Sequence, residues 1–128
     1  MARKENIQDL AVAEILPAEK TKEDLRKALN EIKEKPDVVG YILRNSTSAA
    51  IDLKDPSKLI DYAILSSSAL ETGGELAEIF ELGKIKNVVI EGGTVNVLST
   101  LIDENKVSIF LEKTANYEKI LKNLLSLQ

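Results

Sequence analysis

The sequence contains no cysteine and no histidine. Without cysteine there is no thiol nucleophile and no disulfide. Without histidine, Ser-His-Asp triads and imidazole general bases are excluded. With both missing, so are zinc sites built on these ligands. Tryptophan is also absent, and aromatic residues make up only 4% of the chain. Tyr41, Tyr62 and Tyr117 are scattered, whereas a base-stacking platform needs them clustered. No apolar run reaches the length of about 18 residues that a membrane span requires. Met1-Ala2-Arg3-Lys4-Glu5 lacks the apolar core of a signal peptide, so a cytoplasmic location is expected. Catalysis by Lys, Asp, Glu, Ser or Tyr stays open, but nothing marks it. The expectation is a protein that is not an enzyme and that holds no metal and no cofactor.

What is present suits one folded domain with one core: 128 residues, 44% apolar and 30% charged. The net charge of -4 argues against a nucleic-acid partner, because phosphate neutralisation needs clustered Lys and Arg. Residues 1–20 read as an N-terminal extension and 21–128 as the domain. In the extension, Ile7, Leu10, Ala11 and Ile15 fall at helical spacing before Pro17. A short docking helix and a partly ordered arm both fit.

The domain is organised around Asp55–Leu82, which reads as one long helix. Asp55 can cap it, and Pro56 is tolerated at the first helical position. Ala63, Leu70 and Ala77 repeat at seven residues and form a stripe for the sheet. Ser66, Ser67, Ser68, Ala69, Gly73 and Gly74 are small. Either the helix breaks at the glycines, each costing about 1 kcal/mol against Ala, or small residues on its far side let another backbone come close. Gly83 is a plausible stop.

Around this helix lie shorter elements. Thr21 opens a helix with apolar face Leu25, Ala28, Leu29 and Ile32, closed by Pro36. Its Lys and Arg residues alternate with Glu, as on a solvated face. The run 38–43 reads as a strand covered on both faces. Asn45–Ser48 is turn chemistry, and Ala49, Ile51 and Leu53 alternate as a second strand. Ile85–Glu91, Thr94–Leu101 and Val107–Glu112 read as three more strands. Gly92-Gly93 can supply positive φ angles for a turn. Asn116 caps a last helix with Ile120, Leu121, Leu124, Leu125 and Leu127 on its face. The order α-β-β-α-β-β-β-α predicts an α/β (α+β) fold: a five-stranded antiparallel sheet, the long helix on one face and two helices on the other.

Several clusters invite functional readings. Gly92-Gly93 joins two strands and lacks the Lys-Ser/Thr of a phosphate loop, so a turn is the better reading. Ser66–Ser68 has no base to activate a nucleophile and reads as packing. Glu71, Glu75 and Glu78 share a helix face. They could hold a hard cation, though a solvated or partner-facing acidic strip is the simpler reading.

Pro36-Asp37-Val38-Val39-Gly40-Tyr41, Ala69–Ala77, Val88–Val97 and Val107–Leu125 resemble, in order, the first strand, long helix, central hairpin and final strand and helix of the roadblock / dynein light chain family. The small-residue helix resembles that of prokaryotic members in particular. The resemblance covers about residues 21–127. It departs at Asn45–Ser48, where the family often has an Asp-Gly type turn. It implies a homodimer in which third strands pair and long helices pack together. Here that would use Tyr62, Ser66, Ala69, Gly73, Ile85, Asn87, Val88, Val89 and Ile90. An apolar edge such as Val88-Val89-Ile90 independently invites pairing. The resemblance further implies a non-catalytic adaptor or regulator of a Ras-like small GTPase. The alternative is a small-molecule sensor domain of profilin-like architecture.

Overall fold

The computed structural model describes residues 23–126. The expectations placed on residues 1–20, Thr21 and Leu127 fall outside that range. Helix α1 covers residues 23–33. Strands β1 (Val38–Arg44) and β2 (Ala49–Leu53) follow, then a 3-10 turn (Pro56–Lys58) leading into α2 (Leu59–Ile79). The chain ends with β3 (Asn87–Glu91), β4 (Val95–Ile102), β5 (Asn105–Glu112) and α3 (Tyr117–Leu125). The strands form one antiparallel sheet in the order β2-β1-β5-β4-β3. This is the expected fold, with β2 and β3 at the two edges.

The sheet is covered on both faces. On one side α1 contributes Leu25, Leu29 and Ile32, and α3 contributes Ile120 and Leu124. They meet Val38, Tyr41 and Leu43 of β1, Leu98 and Ile102 of β4, and Val107, Ile109 and Leu111 of β5. Full burial of a Leu or Ile here stabilises the fold by about 2 kcal/mol each. On the other side α2 covers a smaller core of Ile42, Val97 and Phe110, with Tyr62, Ala63 and Leu65 against it. This two-sided cover explains why β1 is apolar at nearly every position. A bulge between Val38 and Gly40 shifts its register against β5.

Local chemistry sets the ends of the elements. Asp55 Oδ1 accepts from the Ser57 N–H at 3.1 Å and the Ser57 hydroxyl at 2.6 Å. These bonds hold the Asp55 carboxyl below its ordinary value. Asn116 Oδ1 accepts from the Lys119 N–H and caps α3. In the β1–β2 turn Asn45 Oδ1 collects the N–H groups of Thr47 and Ser48.

The long helix runs through Gly73-Gly74 as one continuous element. Three details differ from the sequence reading. The helix stops short of Gly83: Glu81 turns left-handed at φ 55, and the Leu82 N–H donates to the Ala77 carbonyl at 2.8 Å. That is a Schellman closure with a non-glycine at its left-handed position. Gly92 and Gly93 do not have positive φ. A Cβ at Gly92 would lie 2.6 Å from the Val95 carbonyl oxygen, so close approach is what requires glycine there. Finally, β5 begins at Asn105, not Val107, because only Asp103 and Glu104 separate it from β4. Asp103 supplies the positive φ, 54°, for that turn.

Candidate interaction surface

Strand β3 pairs with β4 alone among the described residues, so its outer main-chain edge is open there. Register places its side chains. Val88 lies opposite Ser99 and Ile90 opposite Val97, on the α2 side. Val89 lies opposite Leu98, on the α1/α3 side. Val89 is 36% and Ile90 37% exposed. Asn87 accepts a hydrogen bond from the Thr100 hydroxyl at 2.5 Å, which ties the strand's start to β4. Ile85 precedes β3, half-buried near Gly73.

The small-residue stripe of α2 lies elsewhere than expected. Tyr62, Ser66, Ala69 and Gly73 face the chain's own sheet. Tyr62 stacks on Phe110 with ring centroids 4.3 Å apart and planes 7° from parallel. Ser66 is buried, its Oγ 3.0 Å from Ser108 Oγ, which lies 2.8 Å from Ser99 Oγ. Ala69 is buried. A Cβ at Gly73 would stand 2.7 Å from Val88 Cγ2. The small residues let the helix settle close to β3, β4 and β5 of the same chain.

The free face of α2 is the opposite one, which the sequence reading missed. Ile60 is 73%, Ile64 61% and Ile79 68% exposed, and Leu59, Leu76, Phe80 and Leu82 are exposed too. Nine of the eleven exposed large apolar side chains among the described residues lie on α2, just after it, or on β3. Such concentration exceeds the scatter of single apolar residues on an ordinary surface. The apolar residues of α2, more than one stripe can hold, signal a second apolar face without saying which face is free. Glu71, Glu75 and Glu78 are exposed. No group of three acidic side chains among the described residues is placed to hold a metal ion.

A cavity of about 450 Å³ lies at the other edge of the sheet, lined by Arg26, Asn30, Tyr41, Leu43 and residues 48–52. The Tyr41 hydroxyl donates to Asn30 Oδ1 at 2.7 Å. Burial, then the neighbouring Asp52 carboxylate, push the Tyr41 phenol above its ordinary value. Asp52 is paired with Lys33. No helix among the described residues is long and apolar enough to cross a membrane.

No protein-family model matches the chain, and no curated protein matches it. Solved structures do. A Roadblock/LC7 domain from Streptomyces avermitilis is 14% identical with a TM-score of 0.64, over 78% of this chain and 88% of that one. MglB of Myxococcus xanthus is 11% identical with a TM-score of 0.63, over 81% and 88%. The gliding protein MglB of Thermus thermophilus is 14% identical with a TM-score of 0.63, over 84% of each chain. At these identities the likeness is one of fold, and the fold of this chain is that of the Roadblock/LC7 domains.

Proposed function

We propose that the protein is a non-catalytic homodimeric adaptor of the roadblock type that scaffolds or regulates a Ras-like small GTPase. The observation that carries this reading is the pairing of an open edge strand with an exposed apolar helix face. β3 offers unpaired main-chain groups, and α2 beside it offers Ile60, Ile64, Leu76 and Ile79. A second copy satisfies both at once: its β3 continues the ladder and its α2 covers the apolar face. The fold shared with two MglB proteins supports a regulatory role, as does a sequence without His or Cys. Cytoplasmic location is part of the proposal, since Ras-like GTPases work there.

Sedimentation tests the assembly. The protein should run as a dimer, and Ile64→Lys with Ile90→Lys should give a folded monomer. A wild-type monomer at tens of micromolar, on the order of ordinary dimer affinities, rejects it. Pull-down from the source cell, followed by nucleotide hydrolysis on any GTPase recovered, tests the partner.

A further inference from the structure

Strand β2 forms the sheet's other edge, remote from β3. Two hydrogen bonds set which of its main-chain groups face β1. The Asn45 N–H donates to the Ser48 carbonyl at 3.0 Å, and the Lys54 N–H to the Val39 carbonyl at 2.9 Å. In an antiparallel pair these groups alternate, so residues 48, 50, 52 and 54 bond inward. The N–H and C=O of Ala49, Ile51 and Leu53 point outward, and β2 pairs only with β1 among the described residues.

The cavity beside β2 has an informative shape. Ala50 and Asp52 point to the α1 side of the sheet; Ala49 and Ile51 point to the α2 side. All four line the same cavity. Neighbouring side chains of a strand point to opposite faces, so the cavity borders the main chain of β2 as well as its α1-side side chains. It therefore lies beside the main chain that an added strand would pair with.

Its two walls differ in chemistry. On the α1 side stand Arg26, Asn30, the Tyr41 hydroxyl and Asp52. Lys33 neutralises Asp52, while Arg26 has no ion-pair partner among the described residues. The Arg26 guanidinium is the cationic group on that wall. On the α2 side Ile51 is 43% exposed, and half-buried Leu53 lies beside it.

We infer that β2 accepts, as an added strand, an extended segment of a partner protein in which acidic and apolar residues alternate. Its main chain bonds to Ala49, Ile51 and Leu53. Its acidic side chains reach Arg26 and Asn30, and its apolar ones cover Ile51. Strand addition takes affinity from the main chain and specificity from alternate side chains. This does not depend on pairing through β3, which would leave both β2 edges at the ends of a joint sheet.

The test uses the full chain and a fluorescein-labelled, end-blocked seven-residue peptide of alternating Val and Glu. Fluorescence anisotropy should show saturable binding, and the matching Val/Lys peptide should not bind. Arg26→Ala, on an exposed helix position, should weaken binding about tenfold, the loss of one charge-assisted contact. Ile51→Pro removes an outward N–H without costing a bond to β1, and should also weaken it while circular dichroism stays unchanged. No binding of the Val/Glu peptide, or binding indifferent to both substitutions, overturns the inference. Loss of native mass in the Ile51→Pro variant without peptide binding assigns the edge to a second copy, and overturns it too.

Discussion

Gly73 of α2 lies directly over Val88 of β3: a Cβ on Gly73 would meet Val88 Cγ2 at 2.7 Å. Valine is stiff at χ1 and cannot swing that methyl away cheaply. The glycine is therefore what lets the long helix sit on the edge strand.

A paired substitution checks this. Gly74 has open space where its Cβ would be. Gly74→Ala should stabilise the helix by about 0.5–1 kcal/mol. Gly73→Ala gains the same propensity but overpacks, and should destabilise by about 1–2 kcal/mol. Adding Val88→Ala should recover part of that loss in a double-mutant cycle. Urea unfolding at fixed protein concentration measures all three. Equal effects at both glycines would deny the contact.

Glu81 offers a second gain. Its left-handed φ of 55° costs a non-glycine residue about 1 kcal/mol. Glu81→Gly should raise stability by roughly that amount, since the Schellman closure favours glycine there. Thermal unfolding would show it as a rise of a few degrees, about 3–5 °C per kcal/mol for a chain between the small and mid-sized domain classes. An unchanged midpoint would mean that the residue is not held left-handed.

The buried hydroxyls of Ser66, Ser108 and Ser99 form a chain with Ser108 in the middle. Ser108→Ala strands a hydroxyl on each side and should cost about 1–3 kcal/mol. Ser66→Ala removes one end and leaves the other pair intact, so it should cost less, about 0.5–1.5 kcal/mol. Replacing all three with Ala should cost less than the sum of the single losses. A strictly additive series in chemical unfolding would show that the three do not act together.

Tyr41 predicts an alkaline response. Burial, then Asp52, raise its folded-state value above that of the unfolded chain. The folded protein therefore holds the phenolic proton more tightly. This stability is fully present below about pH 10 and is lost as pH rises through the folded value. Tyr41→Phe gives up the bond to Asn30, costing about 0.5–1.5 kcal/mol at neutral pH. It should also flatten the fall in stability above about pH 10. Parallel curves for both proteins would dismiss the linkage.

Much of the fold was readable in apolar spacing. Leu25, Leu29 and Ile32 mark the buried side of α1, and the unbroken apolar run of β1 foretold cover on both faces. Asp55 and Asn116 cap where short acceptor side chains should. The side on which α2 is free was not readable. Its half-buried Ala63 with buried Leu70 and Ala77, and its exposed Ile60, Ile64 and Ile79, are both apolar stripes, and periodicity alone does not rank them. The small residues looked like room for a foreign backbone, but Val88 and Ser108 of the same chain fill it. The left turn at Glu81 has no residue signal at all. Asn105 and Lys106 precede the strand that apolar alternation marks from Val107, yet Asn105 is buried and accepts from Asn45 Nδ2 at 3.3 Å.

The lack of cysteine makes the proposed dimer directly testable. On the free face of α2, Ile60 and Ile64 lie toward one end and Leu76 and Ile79 toward the other, with Ser67, Ser68, Glu71, Thr72 and Glu75 between. All are exposed. An isologous contact must match this face with itself. An antiparallel pair of helices with its two-fold axis near Ser68 does so: Ile60 of one copy meets the partner's Leu76, and the small hydroxyl residues allow close approach at the centre. A single introduced thiol then reports its own distance to its twin, because no native thiol competes. Mild oxidation of the Ser68→Cys variant should give a covalent dimer, since a disulfide needs Cα atoms within about 7 Å. Ser57→Cys, before the helix and far from the axis, should stay monomeric in the same denaturing gel. Cross-linking at Ser57 but not at Ser68, in a protein that sediments as a dimer, would move the contact off this face of α2.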